Sequence, residues 1–182
     1  MLLRNIMRNL ESKPEAPEDV MKMSMRPGLK YYEYEQTKNM TMKQLLPKPV
    51  CGALILMMDK HSTGNVGHFV LLMQHPRSGI IFFDPYGFGL ARLIQKTKNE
   101  DHLLKKLPQM YSDNRIPFQK KADDIQTCGR HVVCRYNAAA MNPKEYQAMM
   151  HLPGLTPDDI VMLMTIGADL AHAIDAHNSN RK

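Results

Sequence analysis

Cysteine is scarce: only three occur in 182 residues, at positions 51, 128 and 134. An odd, low count without a CxxC pair supplies no disulfide framework and no structural zinc site, and it points to a reducing compartment. Long apolar runs are missing as well. None approaches the roughly 20 residues that a bilayer-spanning helix needs, so the chain is expected to be soluble and to engage no membrane. The opening MLLRNIMRNLESK lacks a long apolar core and a small-residue cleavage site, so it does not read as a secretory signal. There is no GxxxxGK[ST] or GxGxxG loop to cradle phosphates, and no internal repeat or low-complexity segment.

What is present is globular in character. Hydrophobic residues make up 43% and charged residues 23%. A chain of this length forms one domain that buries roughly two thirds of its unfolded surface. The formal charge is +6, with a mild cluster at Lys96, Lys98, Lys105, Lys106, Lys120 and Lys121. That predicts weak attraction to polyanions such as DNA, or simply a solvated basic surface.

Residues 1–48 read as a helical arm: an amphipathic piece up to about Glu11, then KPEAPED and a helix start near Asp19. The core is expected over 49–182. VCGALILMM, GHFVLLMQH and GIIFFD are apolar runs of strand length, and HPRSG between the last two has turn chemistry, so these two form an antiparallel hairpin. Leu90 to Leu107 reads as one helix, RIPFQ as a short strand, and Thr127 to Met141 as a helix. NPKEYQAMMHL reads as a shorter helix with proline at its first position. A last helix starts at TPDD, with Ile160, Leu163, Met164, Ile166, Leu170, Ala171 and Ile174 inward. The fold class is α+β, a small and mainly antiparallel sheet flanked by helices.

Three residues from distant segments carry the chemistry. With Thr127 as cap, Cys128 sits in the first turn of a helix, where free backbone amides and the helix dipole favour an anionic sulfur. Gly129 behind it and Gly67 beside His68 leave room for an approaching backbone. Cys51, in an apolar strand, and Cys134, among valines, read as buried hydrophobes. A thiolate needs a base, and His68 at a strand entrance is the best candidate. His61 and His75 fall in turns, His102 on a charged helix face, and His151, His172 and His177 in the helical tail region. If Pro76 to Ser78 form the hairpin loop, His75 faces Gly79 and Asp84 lies opposite Val70. Asp84 is then the diagonal neighbour of His68 on one face, placed to orient the imidazole. Taken alone, Asp84 before a proline is as readily a turn former. The competing reading is zinc held by Cys128, His131 and Cys134, but the third of these is rotated away from the first two on a helix, so no metal is expected.

The ordered motifs GHFVLL, FFDPYG and TCGRHVV, spread over Cys51 to Met141, resemble those of the adenain-like cysteine proteases of large DNA viruses, virophages and self-synthesising transposons. The same fold family holds the SUMO-deconjugating proteases. The resemblance implies Cys128 as nucleophile, His68 as general base and acid, and Asp84 orienting the histidine. It also implies an oxyanion-hole glutamine, for which Gln119 is preferred and Gln126 is the alternative. Phe69 stands where many relatives have tryptophan. Gly67, Phe69, Gly87 and Gly129 would line a narrow cleft for small residues. The implied substrates are viral capsid or core precursors, cut by a monomeric enzyme in the host cytoplasm and virion, with no cofactor beyond an undefined DNA or peptide activator. A modifier deconjugase or acetyltransferase on the same fold, or a non-enzymatic nucleic-acid-binding module, are the alternatives.

Overall fold

A computed structural model describes residues 11–12, 15–48, 51–60, 67–122 and 125–179, with side chains through 168. In chain order the elements are α1 (Pro17–Lys22), β1 (Leu29–Glu33), a 3-10 helix (Tyr34–Asn39), α2 (Met42–Leu45), β2 (Gly52–Met58), β3 (Gly67–His75) and β4 (Gly79–Phe83). There follow α3 (Leu90–Thr97), α4 (His102–Lys106), β5 (Ser112–Asp113), α5 (Cys128–Asn137), α6 (Pro143–Met149) and α7 (Pro157–Ser179).

The architecture is α+β, but the sheet is mixed. Its order is β1-β2-β3-β4-β5, with the inner pairs β2–β3 and β3–β4 antiparallel and the outer pairs β1–β2 and β4–β5 parallel. The predicted hairpin register holds: His75 faces Gly79 and Leu71 faces Phe83. His75, expected in the turn, ends β3 and is buried. It is 1% exposed, and its Nδ1 accepts the N–H groups of Arg77 and Ser78 at 3.2 and 2.9 Å, so the ring closes the turn from within.

Period-2 alternation splits the sheet into two faces, each with its own core. Leu54, Phe69, Leu71, Met73, Ile81 and Phe83 pack against α1, α5, α6 and α7. Ala53, Ile55, Met57, Val70, Leu72 and Phe82 pack against the 3-10 helix, α2, α3 and α4.

Several expectations need correction. The stretch LKYYE, assigned to a helical arm over 1–48, is strand β1 hydrogen-bonded along β2, so the arm is part of the sheet. The amphipathic piece expected up to Glu11 lies almost wholly outside the described residues. The single helix over Leu90 to Leu107 is two. Lys98 adopts left-handed φ 51°, and the Asn99 amide donates to Met58 O at 2.9 Å and Thr97 Oγ1 at 2.8 Å, which anchors the break to the end of β2. His102, expected on a charged face, is 9% exposed. Its Nε2 lies 2.9 Å from Thr37 Oγ1, and burial lowers its pKa.

RIPFQ is not a strand. Pro117 has no N–H to give, and the amides of Phe118 and Gln119 both turn to Pro85 O, at 2.8 and 3.0 Å. Helix α5 stops at Asn137 rather than Met141, because the buried Arg135 guanidinium reaches past the end to donate to Ala138 O and Met141 O at 3.0 and 3.1 Å. In α7 the inward residues are Asp158, Ile160, Val161, Met162 and Thr165, whereas Leu163 and Met164 are 42% and 41% exposed. Two polar anchors, Asp158 and Thr165, set that rotation, as the site shows. The side chains of Leu170, Ala171, Ile174, His172 and His177 lie outside the described residues, as does His61.

Candidate active site

Cys128 is the first residue of α5 and is partly exposed. The helix packs on the Phe69/Leu71 face of the sheet, whereas His68 shares the Val70/Leu72 face. They meet at the end of the sheet where β3 begins, and there the Cys128 sulfur comes close enough to the imidazole to help raise its pKa. The other side of the ring is held by Asp84: Nε2 and Oδ1 are 2.7 Å apart. With Nε2 occupied, Nδ1 is the nitrogen left for the sulfur. His68 is 8% exposed and Asp84 is fully buried. Burial works against the charged ring, but the hydrogen bonds to Asp84 and Cys128, with their Coulombic attraction, outweigh it and the pKa is pushed up to about 9.

Asp84 both meets the imidazole and closes the turn. Oδ1 also accepts Tyr86 N and Oδ2 accepts Phe88 N, each at 2.9 Å, while Gly87 N closes on Asp84 O at 2.9 Å. The turn therefore fixes the carboxylate that fixes the imidazole. Two residues that sequence reading passed over complete this support. Asn114 clamps the Asp84 backbone at both groups, with Oδ1 accepting Asp84 N at 2.8 Å and Nδ2 donating to Asp84 O at 2.7 Å. Tyr86 stacks on the His68 ring, centroids 4.4 Å apart and planes 17° apart. Burial, together with Cys128 and Asp84, pushes its phenol up to about 12, so it stays neutral. The Tyr-Gly turn after Asp84 was the available signal for Tyr86. Asn114 had none, since it acts across 30 residues of sequence.

The start of α5 is held by a second polar network. Thr127 occupies the N-cap position, yet its hydroxyl makes no cap; it donates to Asp158 Oδ1 at 2.5 Å. The same oxygen lies 3.0 Å from His131 Nε2, and Oδ2 accepts Lys120 N at 2.9 Å. Burial alone would raise the Asp158 pKa, but the His131 and Thr127 contacts bring it below the usual carboxylate range. His131, considered as a zinc ligand, is thus committed to Asp158. Cys134 is 1% exposed, with its thiol pushed up to about 12 by burial. Cys51 is likewise buried and donates to Lys48 O at 2.8 Å.

Gln119 lies on the approach to the helix and is 3% exposed. Its Nε2 donates to Ile125 O at 3.2 Å, which leaves the second amide hydrogen for another acceptor. The Gln126 side chain is exposed, and its backbone N–H goes to Glu11 O at 2.7 Å.

The expected cleft residues are filled from within the chain. A Cβ on Gly129 would strike Glu15 Oε2 and come within 2.5 Å of Val20 Cγ2, so the space beside Cys128 on that side belongs to the N-terminal segment and not to a ligand. Phe69 is 5% exposed and belongs to the core. Gly67 is tight against Leu56 and Met58, and Gly87, at φ 67°, against Ile116 and Pro117. Glu15 also lies 2.6 Å from Arg130 Nε, and Arg130 Nη1 donates to Thr165 Oγ1 at 2.6 Å, so α5 is pinned to both the N-terminal segment and α7.

No protein-family model matches the chain. An uncharacterized protein of the Sputnik virophage, V9, is 29% identical to it over 131 residues, covering 63% of this chain and 74% of that protein. Among the described residues no helix is long and apolar enough to cross a membrane.

Proposed function

We propose that this protein is a cysteine endopeptidase of the adenain-like fold that processes capsid or core precursors of a virophage-type virus. The observation that carries the reading is the meeting of Cys128, His68 and Asp84 at the start of one helix, with Asp84 2.7 Å from the imidazole and the sulfur on its other side. The similarity to a virophage protein supports the viral setting. Action in the host cytoplasm and in the virion belongs to the same proposal.

In this scheme Cys128 Sγ, as thiolate, attacks the scissile carbonyl, and its electron pair forms the C–S bond while the carbonyl oxygen takes the negative charge. The Cys128 N–H and the free amide hydrogen of Gln119 stabilise that oxyanion. The His68 imidazolium gives its proton to the departing amine. Water, deprotonated by the neutral imidazole, then cleaves the thioester and regenerates the thiolate. Asp84 keeps the ring oriented throughout, and Tyr86 stacked on it prevents tilting.

Wild type and Cys128→Ala, each incubated with the co-encoded structural proteins, test this by sequencing of new N-termini. The expected result is cleavage at discrete sites by wild type and none by Cys128→Ala; identical patterns would overturn the reading. Gln119→Ala should lower turnover by about 10²–10³.

A further inference from the structure

Beyond the imidazole the aromatic stack continues and ends among cations. Phe88 follows Tyr86 at a centroid distance of 5.8 Å. Three cations from two segments gather on the Phe88 ring: Lys96 Nζ and Arg92 Cζ of α3, at 4.7 and 5.6 Å from its centroid, and Lys121 Nζ at 6.0 Å. Arg115 Nη1 donates to Phe88 O at 3.2 Å, and Arg115 is itself paired with Asp113. Among the described residues, no carboxylate is ion-paired with Arg92, Lys96 or Lys121. A ring attracts each exposed cation only weakly, while the three cations repel one another. Among the described residues the cluster is short of an anion.

We infer that this cluster is a subsite for an aspartate or glutamate side chain of the polypeptide that reaches Cys128, an inference that rests on the endopeptidase reading above. Placement supports a substrate side chain. Phe88 N–H is bound by the same Asp84 carboxylate that orients His68, so ring and catalytic pair are parts of one turn. Two ring contacts, of 4.4 and 5.8 Å, separate Phe88 from the imidazole, which is at most about three residues of extended peptide at roughly 3.3 Å each. The compactness of the cluster argues against a nucleic-acid track. Two other lysines of the basic cluster are engaged elsewhere, Lys105 with Asp101 at 2.8 Å and Lys106 with the carbonyls of Thr37 and Lys38 at 2.5 and 2.6 Å, and three charges converge on one ring where a phosphate backbone needs a stripe.

The test profiles wild type and Arg92→Glu/Lys96→Glu on a randomised peptide library read by mass spectrometry, followed by matched peptides differing only by Glu, Gln or Lys at the selected position. Wild type is expected to enrich acidic residues at one position two to four residues from the scissile bond. The Glu peptide should be favoured over the Gln peptide roughly fivefold in kcat/KM, mainly through KM, and less so in high salt. In the double variant the order of the Glu and Lys peptides should invert. Cleavage by wild type without acidic preference at any position, or a preference that the double variant keeps, overturns the inference while the endopeptidase reading stands. Salt-dependent binding of a single-stranded oligonucleotide that the double variant loses, with its peptide preference intact, assigns the cations to nucleic acid and also overturns it. Absence of cleavage by wild type on both library and structural proteins removes the endopeptidase reading, and this subsite with it.

Discussion

Two buried imidazole–carboxylate pairs flank the start of the same helix, and their geometry hardly differs. His68 lies 2.7 Å from Asp84, and His131 lies 3.0 Å from Asp158. Their third partners set them apart. The first pair has a partly exposed sulfur on the free side of the ring, whereas the second has a threonine hydroxyl on the carboxylate and an imidazole with no solvent exposure. A histidine–carboxylate pair is therefore no mark of catalysis. On the proposed reading the partly exposed sulfur makes the difference, and without one the same pairing is a structural clamp holding Thr127 and the helix start in place.

The histidines themselves should break the symmetry most visibly. His68→Gln is expected to lower kcat by at least about 10³, far more than any loss of folded protein explains. His131→Gln should lower the unfolding midpoint yet leave turnover per folded molecule near wild type. Peptide kinetics corrected for folded fraction by circular dichroism checks both. Abolished turnover in a fully folded His131→Gln would erase the distinction.

The carboxylates sharpen it further. Asp84→Asn keeps an oxygen for the turn amides but offers the wrong group to the ring, and kcat should fall by about 10²–10⁴. Asp158→Ala leaves His131 buried without its partner and Lys120 N–H and the Thr127 hydroxyl without an acceptor. A loss of about 3–5 kcal/mol in denaturant unfolding is expected. If the Asp84 change destabilised more than the Asp158 change, the roles assigned to the two pairs would be reversed.

A smaller effect separates packing from access at the helix start. Gly129→Ala introduces a methyl into space held by Glu15 and Val20, and should cost about 1–3 kcal/mol of stability by overpacking. Were Gly129 instead facing an open cleft, the substitution would be neutral for stability and would raise KM.

The His68–Asp84 pair was legible in the sequence because its geometry is local. A three-residue loop fixes the hairpin register, and the register fixes which face Asp84 joins. The structural pair was not legible, since Asp158 stands 27 residues beyond His131 and its rotation depends on how α7 docks. For the same reason helical periodicity placed Leu163 and Met164 inward: apolar spacing finds a helix, but the buried Asp158 and Thr165 decide which side faces in. Strand β1 was missed because its Tyr31–Tyr32 signal lay in a stretch dominated by prolines and acids, and its pairing to β2 is parallel and non-local. What packs beside the cleft glycines was not legible, because a sequence shows that space is left, not which chain fills it.

Acid and alkali should fail the two pairs at opposite ends of the scale. Because the folded pKa of His68 is raised from an ordinary 6.5 to about 9, its contribution to stability is fully present below pH 6.5 and is lost as pH rises towards 9. Above about pH 9 the imidazolium proton is also missing for the leaving amine, so turnover should decline roughly tenfold per pH unit. The Asp158 pKa is lowered, so its contribution is present above the ordinary carboxylate range and disappears as pH falls through the depressed value. Unfolding midpoints across pH for wild type, His68→Gln and Asp158→Asn should show the first variant without the alkaline decline and the second without part of the acid one. An alkaline decline of the same size in His68→Gln would mean that the raised histidine is not the one facing Cys128.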